Sequence, residues 1–150
     1  MSERLKIIQP KKKFEINKKH FEILGISDET LLGAIEPIEQ GGLIVESKDN
    51  LAKVVEPPLL EACEILFDKK IETIMSSANK KDLGNKPHII ILYDTLTPQN
   101  KKISESMGIV SDYMGKKYLK VEIPFLITEQ TTVGQIRKAA KELVSKFVQQ

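Results

Sequence analysis

The sequence has no tryptophan, a single cysteine and few other aromatic residues, five Phe and three Tyr. The lone Cys63 cannot form an internal disulfide, so we expect it to be a small buried hydrophobe. No apolar run approaches the roughly 20 residues that a membrane-spanning helix needs. The segment Met1–Lys6 lacks the apolar stretch and small-residue cleavage site of a secretory signal. These absences predict a cytoplasmic protein that does not associate with membranes.

Recognisable catalytic motifs are also missing. The sequence contains no Gly-rich nucleotide fingerprint, no phosphate-binding Walker loop and no nucleophile-elbow pattern. His20, His88 and Cys63 stand at spacings that do not match the ligand pairs of structural zinc sites. We therefore predict no catalytic residue, no metal ligand and no cofactor, and the sequence leaves open whether the chain is an enzyme.

The charge of the 150-residue chain is unevenly distributed. Residues 1–20 hold seven basic and two acidic side chains, whereas the remainder holds 16 basic and 19 acidic ones. A basic segment with no sustained periodicity at a terminus is typically mobile. We predict a basic, mobile arm over residues 1–13 and a single α+β domain over residues 14–150, a length that suits one hydrophobic core.

The first half of the predicted domain is helical and then extended. Helical spacing predicts one helix over Asn17–Leu24 and, after Gly25, a second that begins at Ser27 or Asp28 and runs to Ile38. Leu43–Glu46 is predicted to be a strand. For Leu51–Val55, a hairpin partner and a plain connection remain alternatives.

The second half carries stronger local signals. Pro57-Pro58 is typical of a helix start, and an apolar stripe follows it. Strands are predicted at residues 71–75, 88–93 and 118–123, and Thr97-Pro98 should open a helix that ends at Gly108. Thr132 and Gln135 form a capping box that predicts a terminal helix, whose inner stripe is Ile136, Ala140, Leu143 and Phe147.

This order of elements is that of a ferredoxin-like fold. We predict an α+β, ferredoxin-like βαββαβ sandwich over residues of about 43–126, with an N-terminal helical segment and an added C-terminal helix. In that topology the last strand lies at an edge of the sheet, where Pro124 is tolerated.

The run Ile89–Leu92 does not alternate between apolar and polar residues. A sheet with helices on one face should alternate, so large side chains of this strand must also point to the other face. Three covers for that face are alternatives: the N-terminal helices, the terminal helix from Val133, or a second copy of the chain. The last alternative predicts a homodimer.

Two ligand sites are candidates. The polar loop after residue 75 and the Lys116-Lys117 turn are expected at the same end of the sheet, where they would bind an anion such as phosphate. The candidate ligand-binding residues are Ser76, Ser77, Asn79, Lys80, Lys116 and Lys117. The basic arm supplies candidate nucleic-acid contacts, beside Phe14 and Phe21: Lys11, Lys12, Lys13, Lys18 and Lys19.

The leading functional hypothesis is a non-enzymatic, cytoplasmic binding or regulatory module that acts through a sheet face or a protein partner. Its basis is the surplus apolar surface of Ile89–Leu92. One alternative is an accessory nucleic-acid-binding protein that uses the basic arm, although the acidic second helix does not favour it. The other is an enzyme or sensor for a phosphorylated small molecule at the loop of residues 76–82.

Overall fold

The computed structural model of the chain describes residues 25–38 and 47–150. The predicted basic arm, the helix over Asn17–Leu24 and the strand over Leu43–Glu46 lie outside the described residues. The remainder is a mixed fold of helices and one antiparallel sheet.

The described residues form four α-helices, which we number α1 (Lys48–Val54), α2 (Pro57–Asp68), α3 (Pro98–Ser104) and α4 (Val133–Val144). Proline occupies the first turn of α2, where the backbone has no internal use for an N–H group. The Thr132 hydroxyl accepts a hydrogen bond from the N–H of Gln135, whose side chain accepts one from the N–H of Thr132. The predicted capping box at the start of α4 is therefore confirmed.

Within residues 25–38 and 47–150, four strands make the sheet, namely β1 (Thr73–Ser77), β2 (His88–Leu92), β3 (Gly108–Tyr113) and β4 (Lys116–Glu122). Their order across the sheet is β1-β2-β4-β3, and every neighbouring pair is antiparallel. In β2, Ile89 pairs with Val121 and Ile91 pairs with Leu119, and these four side chains are fully buried.

The core lies between one face of this sheet and the helices α2 and α4. A single cluster of buried residues joins Ile89 and Ile91 to Leu66 of α2 and Ile136 of α4. Removing such side chains from water supplies most of the free energy that stabilises a domain. The terminal helix is therefore part of the main core and packs on the Ile89 face of β2. In the part of the chain that the structure describes, no helix is both long enough and apolar enough to cross a membrane.

The ferredoxin-like strand order does not hold for the described strands. That order would place the strand predicted at Leu43–Glu46 between β2 and the strand at residues 118–123. Instead β2 pairs directly with β4, and β3 lies outside β4. The last strand is thus an inner strand, and Pro124 is exposed just beyond its end. The correct description is an α+β fold with an antiparallel β1-β2-β4-β3 sheet.

Two local predictions were also wrong. Residues 27–38 form only a short 3₁₀ turn at Leu32–Ala34, because Leu31 pairs with Thr132 and the N–H of Leu32 donates to the carbonyl of Thr131 at 2.9 Å. These long-range bonds replace the helical ones. The segment Leu51–Val55 is neither a strand nor a plain connection, since its first four residues belong to α1 and its Leu51 enters the core.

Gly108 begins β3, while the preceding helix already ends at Ser104. A Cβ atom on Gly108 would lie 1.9 Å from the carbonyl oxygen of Lys120 on the neighbouring strand. Any side chain at position 108 would clash with this carbonyl oxygen. Glycine at this position therefore allows β3 to begin its pairing with β4.

Candidate functional site

The loop after β1 is held together by its own side chains. The Ser77 hydroxyl donates to Oδ2 of Asp82 at 2.7 Å, and the N–H of Asn79 donates to the same oxygen at 2.9 Å. Oδ1 of Asn79 in turn accepts the N–H of Lys81 at 2.8 Å, which completes a capping box around the short turn at residues 80–82. Ser77 and Asn79 are thus engaged in building the loop.

A buried carboxylate lies beneath this loop. Glu56 is 6% exposed and accepts hydrogen bonds from the N–H of Ala78 at 3.0 Å, from Nδ2 of Asn79 at 3.1 Å and from the N–H of Ile38 at 3.2 Å. Burial raises the pKa of Glu56 above its ordinary value, more than these hydrogen bonds lower it, and the nearby Asp82 also raises it. Glu56 ties together three segments of the chain.

The electrostatics of the loop do not favour an anion. Glu56 and Asp82 both contribute carboxylates, and the ammonium group of Lys80 is paired with Glu36 at 2.5 Å. Ser76 pairs with the buried Ile89 and therefore points toward the helices. Phosphate binding at this loop stays a prediction that the arrangement of its side chains does not support.

The structure places Lys116 and Lys117 away from this loop. Ser77 pairs with His88 at one end of β2, whereas the other end, Leu92, pairs with Tyr118 of β4. The lysine turn and the loop therefore lie beyond opposite ends of a five-residue strand, more than about 13 Å apart at the usual rise per residue. Lys117 is paired with Asp112 at 2.9 Å. The five lysines of the predicted nucleic-acid site lie outside the described residues.

Cys63 is fully buried in the core, and burial raises the pKa of its thiol to about 12. His88 lies on the other face of the sheet, and partial burial, together with the charge of Lys120, lowers the pKa of its imidazole. The two side chains do not form a nucleophile and base pair. Within the described ranges, no group of three or more His, Cys, Asp or Glu residues could hold a metal ion.

The sheet face opposite α2 and α4, which we call the open face, carries apolar side chains. Ile90 and Leu92 of β2 point to it and are half-buried, in contrast to Ile89 and Ile91. Across the strands, Ile90 pairs with Met75, which is 46% exposed, and with Lys120, which in turn pairs with Ile109. The prediction that the unalternating strand sends large side chains to both faces is confirmed. The terminal helix does not cover them.

The described contacts of residues 25–38 do not reach the open face either. Leu32 joins the core cluster, the N–H of Ile38 donates to Glu56, and Asp28 lies against Gly134 and Arg137 at the start of α4. These partners belong to the helix side of the sheet or to the end of the sheet near Ser77. Residues 25–38 and the terminal helix therefore pack elsewhere, whereas the other part of the predicted N-terminal cover, Asn17–Leu24, lies outside the described residues.

The strand β3 is an edge of the sheet with an open backbone. The N–H of Glu122 donates to the carbonyl of Met107 at 3.1 Å, and Gly108 pairs with Val121. In an antiparallel ladder the bonded positions alternate, so Ile109, Ser111 and Tyr113 bond to β4. The backbone groups of Gly108, Val110 and Asp112 consequently point away from the sheet. Among the described strands none pairs with this edge.

The two edges of the sheet differ in their protection. Proteins usually protect edge strands with bulges, prolines or inward-pointing charges. The strand β1 has a register shift between Thr73 and Met75 that breaks its regularity. Among the described residues, the strand β3 pairs without a shift over six residues and contains no proline. Its one charged side chain is Asp112, which is paired with Lys117 of β4, and Ile109 is 64% and Val110 41% exposed. A regular, partly apolar edge of this kind is suited to pairing with another strand.

The turn that joins β3 to β4 adds more exposed apolar surface. Met114 has a φ of 50° and Gly115 a φ of 80°, which is the left-handed pair of a tight two-residue hairpin turn. Tyr113 is 65% and Met114 84% exposed. Sequence reasoning missed β3 and this hairpin, although Gly115, just before the alternating residues of β4, was an available turn signal.

Comparison with protein-family models, with curated proteins and with solved structures found no significant match. The candidate site of this chain is therefore defined by its own geometry: the β3 edge, the neighbouring hairpin turn and the open face.

Proposed function

We propose that this protein is a binding module that recognises a protein partner by adding one of the partner's strands to the β3 edge. The observation that carries the proposal is the outward-pointing backbone of Gly108, Val110 and Asp112 on a regular strand with no bulge or proline. Main-chain hydrogen bonds give such strand addition its affinity, while pockets for alternate side chains give it specificity.

The exposed side chains of β3 are arranged to assist an added strand. Ile109 lies on the open face, in line across the strands with Lys120 and Ile90. Val110 lies on the helix face beside Leu119. An added strand would cover both, and each square ångström of apolar surface removed from water contributes about 25 cal/mol. The open face thus extends the contact surface beyond the edge itself.

A proline substitution tests this mode of binding directly. Val110→Pro removes one outward N–H group but no hydrogen bond to β4, and proline is tolerated on edge strands. Val110→Thr is the matched control, because it keeps the N–H group and the β-branched shape. The probe is a displayed library of random decapeptides, selected on the immobilised protein.

We expect the selected peptides to bind the wild-type chain and the Thr variant alike, and to bind the Pro variant at least about tenfold more weakly, which corresponds to one lost net hydrogen bond. Amide shifts in NMR spectra should map to residues 108–113. Peptides that bind the Pro variant with unchanged affinity, or that shift amides elsewhere, would refute strand addition at this edge.

A further inference from the structure

The β3 edge is complementary to itself. We infer that the strand added to β3 is β3 of a second copy of this chain, running antiparallel, so that two four-stranded sheets join into one. This inference rests on the proposed mode of strand addition and names its partner. The resulting contact is a two-fold interface, in which both copies use the same surface.

The outward-pointing groups determine the register. Gly108, Val110 and Asp112 offer hydrogen bonds at every second position, so a two-fold axis through Val110 lets each copy donate to and accept from the other. In this register Val110 faces Val110 of the second copy, and Gly108 faces Asp112. No two like charges lie opposite each other, and the single carboxylate of the strand meets a residue without a side chain.

The side chains fit the same register. Directly paired residues point to the same face, so Ile109 stands opposite Ser111 of the second copy and diagonal to its Ile109. Ile109 is the most exposed apolar side chain within β3 apart from Tyr113. The two Val110 side chains meet on the helix face, where each is 41% exposed in one copy alone. When two copies of β3 pair, each copy thus covers the exposed apolar side chains of the other.

The irregular edge of the sheet at β1 is less suited to form the dimer interface than the β3 edge. Because β1 carries a register shift, a dimer through β1 would lose regular pairing at its centre. A dimer through β3 keeps α2 and α4 of both copies on the same side of the joined sheet, since the two-fold axis stands perpendicular to it. The two open faces then form one continuous surface on the other side.

Sedimentation velocity over a range of protein concentrations tests the dimer. We expect a monomer–dimer equilibrium whose dissociation constant rises about 10- to 100-fold in Val110→Pro, because the substitution removes one hydrogen bond from each copy. Val110→Thr should retain the equilibrium. A chain that stays monomeric at all concentrations, or a dimer that Val110→Pro leaves unchanged, would overturn the inference.

A cysteine pair tests the register without relying on proline. Val110→Cys places two thiols about 5.5 Å apart between their Cα atoms, within the range that a disulfide spans. Ile109→Cys is the matched control, since its diagonal mate lies about 7 to 8 Å away. Cys63 is buried, with a thiol pKa of about 12, and should not cross-link in either variant.

We expect mild oxidation to give covalent dimers of Val110→Cys much faster than of Ile109→Cys. Equal rates for the two variants would overturn the proposed register. The outcome also separates the two proposals. A monomeric chain that still binds selected peptides at residues 108–113 would retain strand addition and reject the second copy as its partner, whereas peptide binding elsewhere would reject the proposed function.

Discussion

The carboxylate of Glu56 accepts the backbone N–H of Ala78 at 3.0 Å, and this bond fixes the start of α2 to the end of β1. The same carboxylate accepts from Asn79 and from the N–H of Ile38, so one buried side chain holds two loops. A buried carboxylate that accepts three hydrogen bonds is costly to remove, because its donors lose their partners.

We therefore predict that Glu56→Ala lowers the free energy of unfolding by about 2 to 4 kcal/mol. Urea denaturation monitored by circular dichroism measures the change. Glu105→Ala, which removes an exposed carboxylate, is the control and should change the stability by less than about 0.5 kcal/mol. Equal stabilities of the two variants would show that Glu56 does not hold these segments.

Glu56 should also make stability depend on pH. Its pKa is raised in the folded state from the ordinary value of 4.5, so the folded chain binds more protons than the unfolded chain in the range just above that value. The free energy of unfolding contributed by this group is then largest at low pH and falls as the pH rises through the raised pKa. His88, whose pKa is lowered by folding, has the opposite effect.

Comparison with Glu56→Gln isolates the carboxyl group, because both proteins retain His88. We predict that the stability of the wild-type chain relative to the Gln variant decreases as the pH rises from 4.5 toward neutrality. Urea titrations at four pH values in this range measure the difference. A difference that stays constant, or that grows with pH, would contradict a raised pKa.

The elements that sequence patterns predicted well are those whose signals are local. Pro57 and Pro58 fix the start of α2, and the Thr132–Gln135 capping box fixes the start of α4, because caps and first turns involve residues within a few positions of each other. The strand β2 was equally clear from its run of β-branched residues.

The strand order depended on distant contacts that no local pattern contains. Gly108–Tyr113 includes a glycine, a serine and an aspartate, so its intrinsic preference for a strand is weak and its pairing with β4 creates it. Likewise, the helical spacing of Leu31, Leu32 and Ile35 was overridden by backbone bonds to Thr131 and Thr132. The candidate site, being an edge defined by strand order, could not be derived without that order.

Asn100 binds the end of the chain through its side-chain amide. It is fully buried, and its Nδ2 donates to the carbonyl of Val148 at 2.9 Å while its Oδ1 accepts the N–H of Val148 at 2.9 Å. Nδ2 also donates to the side chain of Gln150 at 2.9 Å. The side-chain amide of Asn100 thus bonds to both the N–H and the carbonyl of Val148. This pair of bonds needs one donor and one acceptor, which an amide supplies and a carboxylate does not.

We predict that Asn100→Asp destabilises the protein by about 2 to 4 kcal/mol at neutral pH despite the nearly identical shape, because a carboxylate oxygen would face the carbonyl of Val148. Hydrogen exchange at the amide of Val148 should accelerate in the same variant. Gln99→Ala, at the exposed neighbouring position, is the control. Unchanged stability of the Asp variant would mean that the side-chain amide of Asn100 does not hold the tail.

The hairpin turn offers a stabilising substitution. Met114 adopts a φ of 50° and is 84% exposed, so its side chain contributes little packing while its backbone occupies a region that costs about 1 kcal/mol for most residues. Asn-Gly is the preferred pair for such turns, and Gly115 already supplies the second residue. We predict that Met114→Asn raises the free energy of unfolding by about 0.5 to 1 kcal/mol.

Lys116→Asn, two positions further along, is the matched control for the turn. Lys116 lies in β4, where asparagine is disfavoured, so this change should not stabilise the chain. Thermal denaturation of both variants measures the difference. The turn lies beside the β3 edge, but Met114→Asn leaves the backbone of β3 unchanged, so the variant should form the same dimer as the wild type. A gain in stability with an unchanged dissociation constant of the dimer would show that the turn and the β3 edge act independently. A loss of stability in Met114→Asn would show instead that the exposed methionine makes a contact that asparagine cannot replace.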